Sequence, residues 1–150
     1  MAGDTLITDE LRKTIGVAKQ STTIEMEKGM LRQFVDAIGD PNPLWSDEEY
    51  AKKSQYGGIT FPPGILAASL MGGSGPWLDI PLQRILDGGS EWEFLKPIRP
   101  GDVITVVGTI GDLRERQGSV GRMLFIISDI EWKNQKGEVV ATGRSTLIRY

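Results

Sequence analysis

In the stretch "AIGDPNPLWSDEEYA" (37–51), Asp40, Asn42 and Asp47 share eight residues with two prolines. A loop that crowds carboxylates and an amide between helix-like segments is the kind that holds a water or moves a proton. The chain offers that loop few partners, because it contains no histidine and no cysteine. A thiol nucleophile and a Ser-His-Asp triad are therefore excluded. Zinc, haem and copper sites lose their usual ligands, so neither metal nor cofactor is expected. What is left is carboxylate chemistry centred on Asp40.

The rest of the composition narrows the class. The chain has 150 residues, 39% hydrophobic and 25% charged, which is ordinary globular usage and suits one domain over 1–150. A net charge of -3 without a basic block argues against nucleic acid or an anionic membrane as partner. The first ten residues lack a basic region followed by an apolar run, and no stretch reaches the roughly 20 apolar residues of a membrane span. A soluble cytoplasmic protein is expected.

The elements that must position the loop can be read from periodicity. Thr8 heads a short helix in "TDELRKTIG", and "TTIEME" (22–27) alternates as a strand. In "KGMLRQFVDAIG", Leu31, Phe34, Val35 and Ile38 follow helical spacing, and Gly39 ends the run. After the loop, "SDEEYAKKSQYGG" predicts a helix capped by Ser46 and stopped at Gly57-Gly58, with Asp47 charging or capping its first turn. Pro62 and Pro63 mark the entrance of a helix that is apolar on every side from Ile65 to Met71, and such a helix must be buried. Its small residues Ala67, Ala68 and Ser69 would let a sheet come close. From residue 89 onward four strands separated by "RPGD", "RQGS" and "NQKGE" predict an antiparallel meander. "VITVV" is apolar on both faces, as expected if one face meets the helix and the other a second subunit. "GGSGPW" (72–77) reads as a mobile loop, and Arg114, Glu115 and Arg116 as a solvated hairpin end.

These residues resemble a known family. "GDPNPLWSDEEYA" is similar to the hydratase motif of MaoC-like dehydratases, hot-dog-fold hydratases of (R)-3-hydroxyacyl thioesters. Gly39, Asp40, Asn42, Pro43, Leu44 and Asp47 fit that motif. "GGITFPPGILAAS" resembles the start of the family's central helix, "LKPIRPGDVIT" the start of its long strands, and "GGSEWEF" points to the N-terminal-dehydratase-domain subgroup. The likeness covers essentially 20–150. It implies an α+β class and a single hot-dog fold, with an antiparallel sheet wrapped around a long buried central helix.

One departure matters for chemistry. The family's catalytic histidine falls at position 45, which here is Trp45. Asp40 matches the family's Asp, and Gly64, preceded by Pro63, matches the glycine whose N–H meets the thioester carbonyl. An indole N–H only donates and does not titrate near neutral pH, so Trp45 cannot act as acid or base. The resemblance then implies a non-catalytic subunit that helps bind an acyl-CoA or acyl-carrier thioester. A catalytic hot-dog partner would supply the Asp/His dyad in a heteromeric enoyl-CoA hydratase / 3-hydroxyacyl dehydratase (a lyase) of fatty-acid or steroid side-chain metabolism. Alone, the chain would be weak or inactive.

Asn42, Trp45, Tyr56, Phe61, Pro63 and Gly64 are the candidate substrate contacts, and Asp40 the candidate catalytic group. Plainer roles stand beside these: a turn for "GDPNPL", core packing for Trp45, Tyr56 and Phe61, a helix entrance for Pro63-Gly64. Arg99, Lys96 and Arg144 are candidates for a carrier phosphate by charge alone. Alternative functions are a self-sufficient hydratase using Asp40 without histidine, a non-enzymatic acyl-CoA-binding protein or homodimer, and, more weakly, a thioesterase.

Overall fold

The computed structural model describes residues 5–70, 78 and 80–150. Helix α1 (Asp9–Lys13) is followed by strand β1 (Ala18–Glu25) and helix α2 (Lys28–Ile38). The loop carries a 3-10 turn over Pro43–Trp45, then come helix α3 (Glu48–Lys53) and the central helix α4 (Ile65–Leu70). Four strands complete the chain: β2 (Ile85–Phe94), β3 (Val103–Gly118), β4 (Gly121–Lys133) and β5 (Val139–Arg149). The five strands form one antiparallel sheet in the order β1-β3-β4-β5-β2, so β1 and β2 are its edges.

Strand alternation sets the two faces. On β4, Leu124, Ile126, Ile130 and Trp132 are buried on the concave face, while Asp129 and Glu131 stand on the convex one. On β3 the register slips between Ile110 and Asp112, so Ile110 and Leu113 are both buried although their parity differs. Gly111 makes the slip possible: a Cβ there would lie 2.7 Å from Asp129 Oδ2. Ile104 and Val106 of "VITVV" are fully buried, while Val103 and Val107 on the other face are partly exposed.

Two apolar clusters fill the concave face. The first gathers Ile65 and Leu66 of α4, Leu31 of α2, Phe61, Ile104, Val106, Ile130 and Trp132. The second, at the other end of the long strands, lies under Leu6, Ile7 and Leu11 and includes Ile110, Leu113, Leu124 and Ile126. Each fully buried large side chain contributes about 1.5–3 kcal/mol. Trp132 rests against Trp92 with ring centroids 4.9 Å apart. Gly143 leaves room for both rings, since a Cβ there would be 3.0 Å from Trp92 and 3.1 Å from Trp132.

Several sequence expectations shift. β1 begins at Ala18 and ends at Glu25 rather than spanning 22–27, because pairing with β3 from Thr109 onward extends it backward. β2 begins at Ile85, drawn out by pairing with Arg149 and Ile148 of β5. α3 is capped by Asp47, whose Oδ1 accepts from Tyr50 N–H at 3.0 Å, not by Ser46, and it ends at Lys53, with Ser54 as its C-cap, before the glycine pair. Glu115 is not part of a solvated end. Its oxygens accept from Thr5, Leu6 N and the Arg122 guanidinium, tying the N-terminal segment to the β3–β4 hairpin. The loop 72–77 and Met71 lie outside the described residues. Among the described residues no helix is long and apolar enough to cross a membrane.

Candidate functional site

The loop is built by turn chemistry that its own sequence dictates. α2 ends at Gly39, which takes φ 66° and donates its N–H to Val35 O and Asp36 O. A left-handed residue there reverses the chain over the helix end, and glycine adopts it without strain. Asp40 then accepts Asn42 N–H on Oδ1 at 3.0 Å, and Asn42 Oδ1 accepts Leu44 N–H at 3.0 Å. Pro41 and Pro43 bring no N–H of their own, so the two side-chain acceptors take the next donors in line. Leu44 is buried and anchors the turn, and Asp47 N–H closes it on Pro43 O at 2.8 Å.

At the centre of the site, the Trp45 indole Nε1–H donates to Asp40 Oδ2 at 2.9 Å. Asp40 and Trp45 are both partly buried, and the Trp45 ring packs on the first apolar cluster. Asp40 thus has one oxygen held by a backbone N–H and the other by a non-titrating indole. A carboxylate carries about four lone-pair sites, so acceptor capacity is left for a water. No histidine exists to share that water, and the pair cannot relay a proton.

Gly64 sits just ahead of α4, beside α2. It is exposed, as is Pro63, while Pro62 behind it is buried. The Ile65 and Leu66 amides close on Pro62 O and Pro63 O at 3.1 and 3.2 Å, whereas the Gly64 N–H makes no hydrogen bond among the described residues. A Cβ on Gly64 would meet only Phe34 Cζ, at 3.8 Å, an ordinary contact. Packing inside the chain therefore does not demand glycine here.

The structure brings Asp40, Asn42 and Trp45 together by hydrogen bonds and places Phe61 in the same cluster that Trp45 packs on. Phe61 is 3% exposed and its N–H donates to Ile98 O at 2.8 Å, so it supports the approach to α4 from below. Tyr56 is exposed, and its carbonyl accepts from the Arg99 guanidinium. Of the three cations, Lys96 is paired with Glu138 at 2.6 Å and Arg144 with Asp129 at 2.7 Å, while Arg99 forms no ion pair among the described residues. Lys96 in turn holds the Glu138 carboxyl below its usual range, helped by Asn134, and Asp129 raises the Arg144 guanidinium. Among the described residues no three His, Cys, Asp or Glu side chains are placed to hold a metal ion. Sequence reasoning missed the Trp45–Asp40 bond; the signal for it was a donor-only ring five residues past an acid across a Pro-Asn-Pro turn.

Residues 13–143 match the FAS1-like dehydratase domain region. The chain belongs to that family. The FAS1-like dehydratase domain is 33% identical to a UPF0336 protein of Thermobifida fusca over 129 residues, covering 83% of this chain and 82% of that one. It is 30% identical over 139 residues to a Thermomonospora curvata protein named "Probable enoyl-CoA hydratase alpha subunit", covering 81% of this chain and 44% of that longer one. Among solved structures it resembles a MaoC-like dehydratase from Rhodospirillum rubrum with a TM-score of 0.77 and 27% identity, over 91% of this chain and 92% of that one. The domain thus has the MaoC-like hot-dog fold, α+β with the sheet curved about the central helix.

Proposed function

We propose that this domain is an acyl-thioester-binding, non-catalytic subunit of a heteromeric enoyl-CoA hydratase / 3-hydroxyacyl dehydratase. The observation that carries the reading is the 2.9 Å bond from the Trp45 indole to Asp40, at the position where the family's motif has its histidine. Hydrating an enoyl thioester needs a base for water, an acid for the α-carbon and donors for the enolate-like oxygen. The site keeps an acceptor at Asp40 and, at the exposed Gly64, an N–H without a hydrogen-bond partner among the described residues, but its ring at position 45 moves no proton. Such a site can hold a thioester carbonyl without turning it over. The name of the Thermomonospora relative, an alpha subunit, supports a role beside another subunit.

In this reading Asn42 fixes the loop, Pro63 and Gly64 receive the thioester, and Trp45 and Phe61 form the apolar floor near it. Tyr56 and Arg99, whose guanidinium donates to the Tyr56 carbonyl, are assigned to the carrier arm in this reading. The test is hydration of a panel of trans-2-enoyl-CoA thioesters, short to bulky, followed by loss of the conjugated absorbance. The chain alone is expected to give a flat trace. Adding a hot-dog protomer that carries the Asp/His dyad is expected to give hydration faster than that protomer alone. Steady hydration by the chain alone, abolished by Asp40→Ala, would overturn the reading in favour of a self-sufficient hydratase.

A further inference from the structure

Arg99 stands on a rigid base. Its N–H donates to Asp102 Oδ2 at 2.8 Å, and Asp102 N–H donates to Arg99 O at 3.1 Å, across a turn in which Gly101 takes φ 93°. Asp102 fastens the same turn to two other parts of the chain. Its carbonyl accepts Met26 N–H at 2.8 Å, between β1 and α2. Its Oδ1 accepts from Gln135 Nε2 at 3.0 Å, in the β4–β5 turn, and Gln135 Oε1 accepts Val103 N–H at 3.1 Å. Bonds converging from three places leave the backbone at 99–102 little freedom.

From that base the turn grips the segment between α3 and α4 twice. Ile98, buried in the first cluster, accepts Phe61 N–H at 2.8 Å. Arg99 reaches further back, and its guanidinium donates to the Tyr56 carbonyl. On the way it crosses Gly58, where a Cβ would stand 3.0 Å from Nη1. The N–H groups of residues 58–60 have no partner among the described residues, so upstream of Phe61 the guanidinium is the tie between this stretch and the β2–β3 turn.

Downstream the segment is stiff. Pro62 and Pro63 have fixed φ, so few soft torsions lie between Phe61 and Gly64. A shift of residues 56–61 is therefore passed on to Gly64 rather than absorbed. Arg99 forms no ion pair among the described residues; its charge strengthens a bond to a main-chain oxygen instead.

We propose that Arg99 is a positioning residue: through the Tyr56 carbonyl it sets where Pro63 and Gly64 stand to receive a thioester. The inference rests on the reading above for what Gly64 binds. It adds a task inside the chain that acts on any acyl thioester, whether or not the carrier bears phosphate.

The experiment compares wild type, Arg99→Ala and Arg99→Lys by two readouts. The first is amide exchange at Gly57, Phe61, Ile65 and Leu66, with β3 and β4 amides reporting global stability. The second is titration with octanoyl-CoA and with octanoyl-pantetheine, which carries no phosphate, at low and high salt. Arg99 is only partly buried and Ile98 is untouched, so both variants should keep the wild-type circular dichroism. In Arg99→Ala, exchange at Phe61 and Ile65 is expected to quicken about tenfold while the β3 and β4 amides hold. Both thioesters are expected to bind about tenfold more weakly at either salt. Arg99→Lys, which keeps a donor on a long stem, should recover part of both losses. Unchanged exchange at these amides overturns the proposal. So does a loss confined to octanoyl-CoA that disappears at high salt, the signature of a phosphate contact alone. Wild type that binds neither thioester sinks the functional reading, and the exchange result then still decides whether Arg99 holds Gly64 in place.

Discussion

Trp45→His tests whether the missing proton relay is what disables this site. In indole and imidazole alike, a nitrogen sits two bonds beyond Cγ in the five-membered ring. An imidazole in the Trp45 rotamer therefore puts Nε2 near the present indole nitrogen, 2.9 Å from Asp40 Oδ2. The benzo ring vanishes, and the space it leaves beside the carboxylate is of a size for water. A positioned general acid–base group contributes about 10²–10⁴-fold, or roughly 3–5 kcal/mol of barrier. The structural cost is smaller: losing the apolar area of a partly buried benzo ring removes roughly 1–2 kcal/mol of stability.

The expected result is a folded variant that hydrates enoyl-CoA at least about 100-fold above wild type. Trp45→Phe, which keeps a ring and removes the N–H, should stay inactive and lose about 1.5 kcal/mol, the lower end of what a hydrogen bond to a charged group contributes, since the bond is only partly buried. Activity of Trp45→His should vanish when Asp40→Asn is added. The carboxylate also favours the charged imidazole, which raises its pKa. A folded Trp45→His variant no faster than wild type, alone and beside a dyad-bearing protomer, would refute the claim that one side chain separates this site from a working one.

Two stability predictions follow from the fold. Gly143→Ala should cost about 1–3 kcal/mol by forcing a methyl against the Trp92 and Trp132 rings, lowering the denaturant midpoint with an unchanged slope. The Arg122 guanidinium, with Leu6 N–H and Thr5, holds the Glu115 carboxyl below its ordinary range. The stability this adds is complete above the ordinary carboxylate pKa and is lost as pH falls through the depressed folded value. Amide exchange at Leu6 and Ile7 should therefore speed up in acid relative to β3 and β4 amides, and Glu115→Gln should produce the same loosening at neutral pH. Unchanged exchange in both would mean that apolar packing alone holds the segment.

Amide and carboxylate turns, the stop of α2 and the long strands were legible in the chain because they rest on local rules. Gly39 ends α2 since only glycine takes the left-handed turn cheaply, and Asp40 and Asn42 cap their own following amides since prolines flank them. In "MLFIISDIEW", which was expected to be a strand, period-two alternation puts Leu124, Ile126, Ile130 and Trp132 on the buried face for the same local reason. The absence of histidine and cysteine was a fact of composition, and it bounded the chemistry before any fold was known.

Contacts between distant residues were decided only in three dimensions. Glu115 looked solvated because its neighbours Arg114 and Arg116 are charged; its donors Thr5 and Leu6 lie at the other end of the chain. The true starts of β1 and β2 came from pairing partners that no local propensity names. Whether Trp45 packed in the core or met Asp40 depended on where the turn aimed the ring, and it does both. Local sequence specifies turns because the interacting groups are a few bonds apart. Side chains a hundred residues apart meet only once the sheet has curved around its helix and brought them face to face.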